Sequence, residues 1–533
     1  MSRPEHAWLP RIKLSDPVVG SGRIIVSADN LPFIRISDDV ARVLSLAQGS
    51  FPNVDVGSIA SALGTSSELV EATLRTVGAS PALVHQLPRA NKRLQFRAPF
   101  SVQLTLFNPS ALLARVPFIV GAVRNRWWWR SQVAVSVVGV VLLLLVAITP
   151  DSPLHRPMTG AQYVVVFAAL FLTAFIHEFA HALALTAFGG QSHRLGVMLF
   201  YLAPACFCDV SDAWRLPPER RVRVALAGVL AQTAVAAVAA FVALLVTPSV
   251  AVAFDVFAVL CLAYGLVNLV PLVKLDGYIA LVGHLDRPNL RATAVQAFRS
   301  SMARALLGER TGLSAERLPR GGRVPIELIL FGFGCAVFPV VLVAGAGLAV
   351  NTYLASWGAF GAWITLGVFA LIALIGIVLF GRGAARIVRR ANSIVRGLIV
   401  VTAAGAVVVA TIVALPLPQQ VTGGVLDTAQ GPVLAIAGAT STIPTGSRVT
   451  LYRSAVFPSR QVGTAIVTGS ETSCLVPLDA IAPMTGTGLQ AKARCFPVAT
   501  SADLSPATVA VIASDGVPLA RQIHFLVNRI LTK

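Results

Sequence analysis

Residues 162–188 read QYVVVFAALFLTAFIHEFAHALALTAF, an apolar run broken by one compact polar group, His177-Glu178 and His181. A stretch this long and this apolar covers the hydrocarbon core, which takes roughly 20 helical residues. It is not alone. Runs of similar character fall at about 132–149, 224–247, 250–272, 326–350, 358–381 and 397–416. The overall composition agrees with them. Of the 533 residues, 55% are hydrophobic and only 13% charged, with a mean hydropathy of +0.75. Soluble domains carry about 25% charged residues, so this composition excludes an ordinary soluble protein. The expected fold class is a polytopic α-helical membrane protein with about seven spans, residing in the plasma membrane and contacting lipid.

The net charge of +19 raises nucleic-acid binding, but the placement of the cations argues for membrane topology instead. Arg124, Arg126 and Arg130 precede the first run, beside an interfacial cluster of Trp127, Trp128 and Trp129. Arg215, Arg220, Arg221 and Arg223 follow the second, an Arg-rich segment at about 285–324 follows the fourth, and five arginines between 382 and 396 follow the sixth. The alternate short loops hold Arg156 and no other Arg or Lys. By the positive-inside rule the N-terminus is cytoplasmic and, after an odd number of spans, the C-terminus extracytoplasmic. The first run starts far from Met1, so no cleavable signal peptide is expected. Cys474 and Cys495 fall in the external part, where a disulfide between them is expected.

The flanks read as separate domains. Residues 1–90 suggest a small α+β unit. A hairpin is expected from 23–27 and 33–36 around Ala28-Asp29-Asn30, then a helix capped by Ser37 and a second at about 55–63. A third opens on a Thr65/Glu68 capping box. Hairpin plus three helices is a winged-helix pattern, yet Arg42 and Arg75 are opposed by Asp38, Asp39, Asp55, Glu68 and Glu71, which argues against DNA. Residues 91–131 read as a membrane-approach segment, 132–285 as the core, 286–325 as a cytoplasmic basic loop and 326–416 as additional spans. Residues 417–533 read as an extracytoplasmic β-rich domain, with alternation at Arg448–Tyr452 and Val462–Val467 and an amphipathic stretch at about 518–531.

The polar group in the second run is H-E-x-x-H. On a helix, His177 and His181 stand one turn apart on one face, as two ligands to one metal ion require, and Glu178 lies beside them as a base. Two satisfied core histidines would give the same letters. Ionisable groups at bilayer depth cost several kcal/mol each, however, so three in one turn call for a compensating function. A catalytic zinc site needs a third protein ligand. The fourth run ends Asn268-Leu-Val-Pro-Leu-Val-Lys-Leu-Asp-Gly277, and the arginine topology brings Asp276 to the same membrane side as His177 and His181.

This pairing of HExxH with a downstream N-x-x-P-x-x-x-L-D-G resembles the site-2 protease family of intramembrane metallopeptidases over roughly 162–285. The resemblance implies Zn²⁺ held by His177, His181 and Asp276, with Glu178 and Asn268 catalytic, Asn268 lying near the substrate carbonyl. The stretch Phe200–Pro217 and Lys274 resemble the peptide-maturation branch of that family. The order of elements in 1–90 resembles PqqD-like domains that hold leader peptides. Together they imply an intramembrane zinc endopeptidase that cleaves a ribosomal-peptide precursor, as in daptide-type biosynthesis, with the leader bound by residues 1–90. Two alternatives stay open: release of a membrane-anchored signalling regulator, and a non-hydrolytic transport or immunity protein. No nucleic-acid partner is expected. Cys206 and Cys208 read as packing rather than a second metal site, His193 and His284 as solvated, and Asp209 and Asp212 as candidates for the substrate access path.

Overall fold

A computed structural model describes residues 8–14, 24–28, 31–79, 93–97, 101–149, 152–200, 203–287, 289–307, 325–354, 393–414, 416–429, 431–436, 443–453, 461–481, 484–501 and 508–518, with short stretches between 363 and 388 and Leu504. Among them, four helices are long and apolar enough to cross a membrane: Arg126–Ile148, Gly160–Ala187, Pro218–Ala243 and Pro248–Asn268, here the first to fourth spans. Two further apolar helices, Ile326–Leu354 and Ile394–Ala414, follow. Most of the run expected at 358–381 and all but the first residue of the stretch at 518–531 lie outside the described residues. The protein divides into two compact units, residues 1–141, 168–238 and 258–288 in one and the remainder in the other.

In the first unit the N-terminal elements are β1 (Ile12–Leu14), β2 (Ile24–Ala28) and β3 (Leu31–Ile36), an antiparallel sheet in that order, and helices α1 (Asp38–Gly49), α2 (Val56–Leu63) and α3 (Ser67–Gly78). Leu9, Leu44, Val70 and Leu74 are fully buried at their common core. The Gln48 amide donates to the carbonyls of Leu9 and Ile12, at 2.8 and 2.9 Å, and so fastens the first strand to α1. Ser66, not Thr65, caps α3, its hydroxyl accepting from the Leu69 N–H. Thr65 instead closes α2, its N–H donating to Ala60 O beyond the left-handed Gly64.

The stretch read as a membrane-approach segment contains strands. β4 (Leu94–Arg97) and β5 (Ser101–Phe107) join β7 (Leu195–Phe200) and β8 (Ala203–Cys208) in the antiparallel order β4-β5-β7-β8. Val102, Leu104 and Leu106 alternate with Gln103 and Thr105, the period of a strand. The partner lies beyond two spans, which is why alternation alone does not reveal the sheet. β8 begins the Phe200–Pro217 stretch, and a 3₁₀ turn, Ser211–Arg215, ends it.

Within the span bundle, small residues permit close approach. A Cβ on Gly139 of the first span would fall 2.4 Å from the Ala237 Cβ of the third. Ser136 and Thr233 hydrogen-bond between the same two spans at 2.6 Å. Such contacts replace the hydrophobic drive that lipid does not provide. Trp127 and Trp128 are exposed at the start of the first span, as an interfacial belt requires. Trp129 differs: its ring stacks on Phe188 and its Nε1 donates to the Val123 carbonyl.

In the second unit, the segment read as a basic loop contains a helix, Leu290–Leu307. It packs on Ile326–Leu354 so closely that a Cβ on Gly332 would strike the Ala294 carbonyl. Arg396 donates to the carbonyls of Ala305 and Leu306, satisfying its C-terminal end. The C-terminal region is β-rich. β9 (Pro416–Thr428), β10 (Gly431–Ile436), β11 (Arg448–Arg453), β12 (Gln461–Val467), β13 (Thr472–Pro477), β15 (Gln490–Thr500) and β16 (Thr508–Pro518) form one sheet, ordered β10-β9-β16-β11-β12-β15-β13. A further β10–β15 pairing closes it into a barrel around Leu434, Ile436, Val449, Leu451 and Phe496. Closure leaves β13 as an edge. Cys474 and Cys495 form a disulfide between β13 and β15, as expected from the sequence. β14 (Met484–Thr485) pairs with β6 (Met158–Thr159), which lies in the loop joining the first two spans. This pairing ties the C-terminal region to that Arg-poor loop.

Candidate metal centre and its cavity

The second span carries His177 and His181 one turn apart, their rings edge to face at 4.8 Å between centroids. Each ring is fixed from outside through Nδ1. His181 Nδ1 lies 2.7 Å from the Val224 carbonyl, and His177 Nδ1 lies 3.1 Å from Gln232 Oε1, both on the third span. Because a carbonyl only accepts, each Nδ1 must donate, and each neutral ring then turns an Nε2 lone pair inward. The fourth span ends at Asn268, and a turn brings Asp276 back to the same point at the start of the short helix Asp276–Leu285. That return needs Gly277: a Cβ there would lie 2.0 Å from the Leu269 carbonyl oxygen.

The inward atoms converge. His177 Nε2 is 2.8 Å from Asp276 Oδ2, His181 Nε2 is 3.4 Å from Asp276 Oδ1, and the two Nε2 atoms are 3.2 Å apart. Both histidines are buried, and Asp276 Oδ2 is buried without a hydrogen-bond donor. Two lone pairs and a carboxylate at such distances repel unless a positive charge lies among them. The separations match the edges of a tetrahedron with zinc-length arms, about 3.3 Å for ligands at about 2.0–2.1 Å. The donor set therefore fits a divalent metal ion. Among the described residues these three form the one group of three or more such side chains that could hold one.

Gly228 of the third span closes the site from behind. A Cβ there would stand 2.5 Å from His181 Nε2 and 2.6 Å from His177 Nε2. Ahead of the site opens a cavity of about 520 Å³ lined by Glu178, His181 and Asp276, and farther out by Cys206, Asp209, Trp214, Lys274 and Tyr278. The Glu178 carboxylate lies close to the backbone N–H of Cys208. This places a carboxylate between the candidate metal site and the sheet.

The structure brings together His177, Glu178, His181 and Asp276. Asn268 is buried at the end of the fourth span, within hydrogen-bonding reach of Tyr264, whose ring meets His177 edge-on at 6.3 Å. It is not among the residues lining the cavity. Asp209 lines the cavity, whereas Asp212 is bound to the Gln191 N–H and to Arg215. His284 is exposed and His193 half-buried. Burial pushes the Cys206 thiol up to about 11. Burial likewise pushes Cys208 up to about 12, despite its contact with the Ser192 hydroxyl. Both are protonated at neutral pH, which suits packing. Gln232, Gly228 and Tyr264 do not stand out in the sequence as site residues. A Gly and a Gln at i and i+4 in an apolar span, the Gln polar at bilayer depth, are the available signal.

Comparison with protein-family models, curated proteins and solved structures finds no match to this protein.

Proposed function

We propose that this protein is an intramembrane zinc endopeptidase of the site-2 type, acting on a ribosomal-peptide precursor. The observation that carries the reading is the convergence of His177, His181 and Asp276 with both outer Nδ1 atoms already tied down, beside Glu178 in a cavity. Bound there, zinc supplies Lewis-acid activation of water and of the peptide carbonyl. Glu178 takes the proton from the attacking water and passes it to the leaving amine. Asp276 and the histidines hold the geometry, and Gln232 and the Val224 carbonyl keep the rings from turning. Asn268 steadies the developing oxyanion once substrate is bound.

Substrate presentation follows from the sheet. The Asp209 N–H donates to the Arg194 carbonyl, so Phe207 and Ala205 pair with β7 while Cys206 and Cys208 turn their backbone groups to the open edge of β8. An extended peptide paired on that edge runs past Glu178. The N-terminal domain supports leader-peptide binding in the same way. Its outer strand β3 runs beside Ser211–Arg215, whose residues line the cavity. We assign that domain a winged-helix, PqqD-like role. We further assign seven spans to the protein, the four apolar helices with Ile326–Leu354, 358–381 and Ile394–Ala414, giving a cytoplasmic N-terminus and an extracytoplasmic barrel.

The test uses the full-length protein in proteoliposomes with a leader-bearing precursor. Glu178→Gln should keep one equivalent of zinc and lose cleavage by at least a hundredfold. His177→Ala should lose both. Cleavage by Glu178→Gln at the wild-type rate overturns the proposal.

A further inference from the structure

At the end of the bundle that carries the tryptophan belt, a second cavity of about 160 Å³ opens between the first three spans. Its walls include Trp129 and Gln132 of the first span, Phe179 and Leu183 of the second, and Ala227 and Ala231 of the third. These lie on a different face of the second span from His177 and His181. At the edges Trp128 and Ile176 are 38% and 36% exposed, so the cavity is a groove on the outer, lipid-facing surface of the bundle. Along the second span it runs from Ile176 to Ala184, about 12 Å of helical rise. One leaflet of hydrocarbon is about 15 Å deep. An apolar groove of that length, open to lipid, fits an acyl chain.

The rim of the groove is cationic. Arg126 and Arg130 stand over the Trp127 ring, at 5.8 and 4.9 Å from its centroid. Arg220 lies over the Phe188 ring at 5.9 Å, and Phe188 stacks on Trp129 of the groove wall. Arg124 reaches the same corner, its Nε donating to the Ala187 carbonyl at 3.0 Å. All four arginines are exposed, and among the described residues none of them forms an ion pair. The acidic neighbours in sequence do not offset them: Asp212 is bound to Arg215, and Glu219 pairs with none of the four. The aromatic rings hold these cations at headgroup level without cancelling their charge. About one turn deeper, the Gln132 side chain makes no hydrogen bond among the described residues and presents amide donors to the groove.

We propose that this groove and its arginine rim bind one anionic phospholipid, the acyl chain lying among the three spans and the headgroup phosphate held by the arginines. Four unneutralised cations beside an apolar slot complement a ligand that is negative at one end and hydrocarbon at the other, as basic pockets between membrane helices do. The site is separate from the metal centre, and its test does not depend on the endopeptidase reading.

The experiment is native mass spectrometry of the full-length protein in micelles, titrated with phosphatidylglycerol or with phosphatidylcholine of the same chains. The first phosphatidylglycerol should bind about tenfold more tightly than the first phosphatidylcholine, and the preference should shrink at high salt, which screens exposed charges. In the double variant Arg126→Gln/Arg130→Gln the ratio should fall to about two or less. Arg299→Gln, an equal loss of charge at an exposed position on the helix Leu290–Leu307, should keep the wild-type ratio. Ala231→Phe, which fills the groove, should weaken both lipids alike by about tenfold. The wild-type comparison needs no substitution, so a misfolded variant cannot mask the answer. Equal binding of the two lipids by the wild type, a ratio unchanged in the double variant, or the same fall in Arg299→Gln overturns the site. Unchanged affinities in Ala231→Phe overturn the groove as the place of the chain.

Discussion

Gly228→Ala is the sharpest probe of the proposed metal centre, because it adds one carbon against the histidines and replaces neither a proposed ligand nor Glu178. The new Cβ would lie 2.5 and 2.6 Å from the two Nε2 atoms. Comfortable separation for such a pair is about 3.5 Å, so the overlap approaches 1 Å. A ring that moved off Gly228 would also leave its partner on the same face of the third span, Val224 O at 2.7 Å or Gln232 Oε1 at 3.1 Å from Nδ1. Either the third span shifts, at about 1–3 kcal/mol of overpacking, or the ligand atoms leave the positions a metal needs, which tolerate about 0.2 Å. Zinc affinity should fall at least 10–100-fold, the range seen when ligand-orienting partners are lost. Competition with a zinc-selective chelator on solubilised protein measures it, and a thermal melt reports the packing cost separately. Gly265→Ala is the control: its Cβ would meet Thr233 at an ordinary 3.4 Å. Wild-type zinc affinity in Gly228→Ala would refute the convergence of these groups.

Other outcomes follow from the same contacts. Gln232→Leu frees His177 Nδ1 and should weaken zinc binding by about 10–100-fold while leaving the fold intact; titration with the metal checks it. Cys495→Ser opens a disulfide between residues 21 apart, which should destabilise the barrel by about 3 kcal/mol, seen as a lower denaturation midpoint. The Asp479 carboxylate accepts from Thr487 and from the Gly486 and Thr487 N–H groups. Its pKa is held below the ordinary range, by the Thr487 bond foremost. With the folded value below the unfolded one, its stabilisation is present above about pH 4 and is lost as pH falls through the folded value. Acid melts of wild type and Asp479→Asn should converge at low pH; a constant gap would count against it. Cys206 and Cys208, with thiols raised to about 11 and 12, should resist maleimide at pH 7.5 in intact protein and react after unfolding.

Local signals were readable directly. A 3.6-residue repeat places His177 over His181 whatever surrounds them, and sustained apolarity marks the spans without knowledge of their neighbours. Asp276 was reachable because alternation of arginines puts the ends of the second and fourth spans at one membrane face. The sheet β4-β5-β7-β8 was not reachable. Its alternation is visible at Val102–Leu106, but register is set by a partner beyond two spans. The same holds for the barrel, whose strands were suggested by alternation while its closure depends on β10 meeting β15.

The apolar runs, the HExxH turn and the Asp-Gly pair follow from short-range spacing, and the sequence alone determined them. What only the tertiary structure decided is how they are held. Gln232 and Val224 O orient the rings, Gly228 makes room for them, Gly277 lets Asp276 return, and Arg194 enters the cavity wall from a strand beyond the second span. Each of these depends on contacts between elements distant in sequence, whose distances no periodicity encodes.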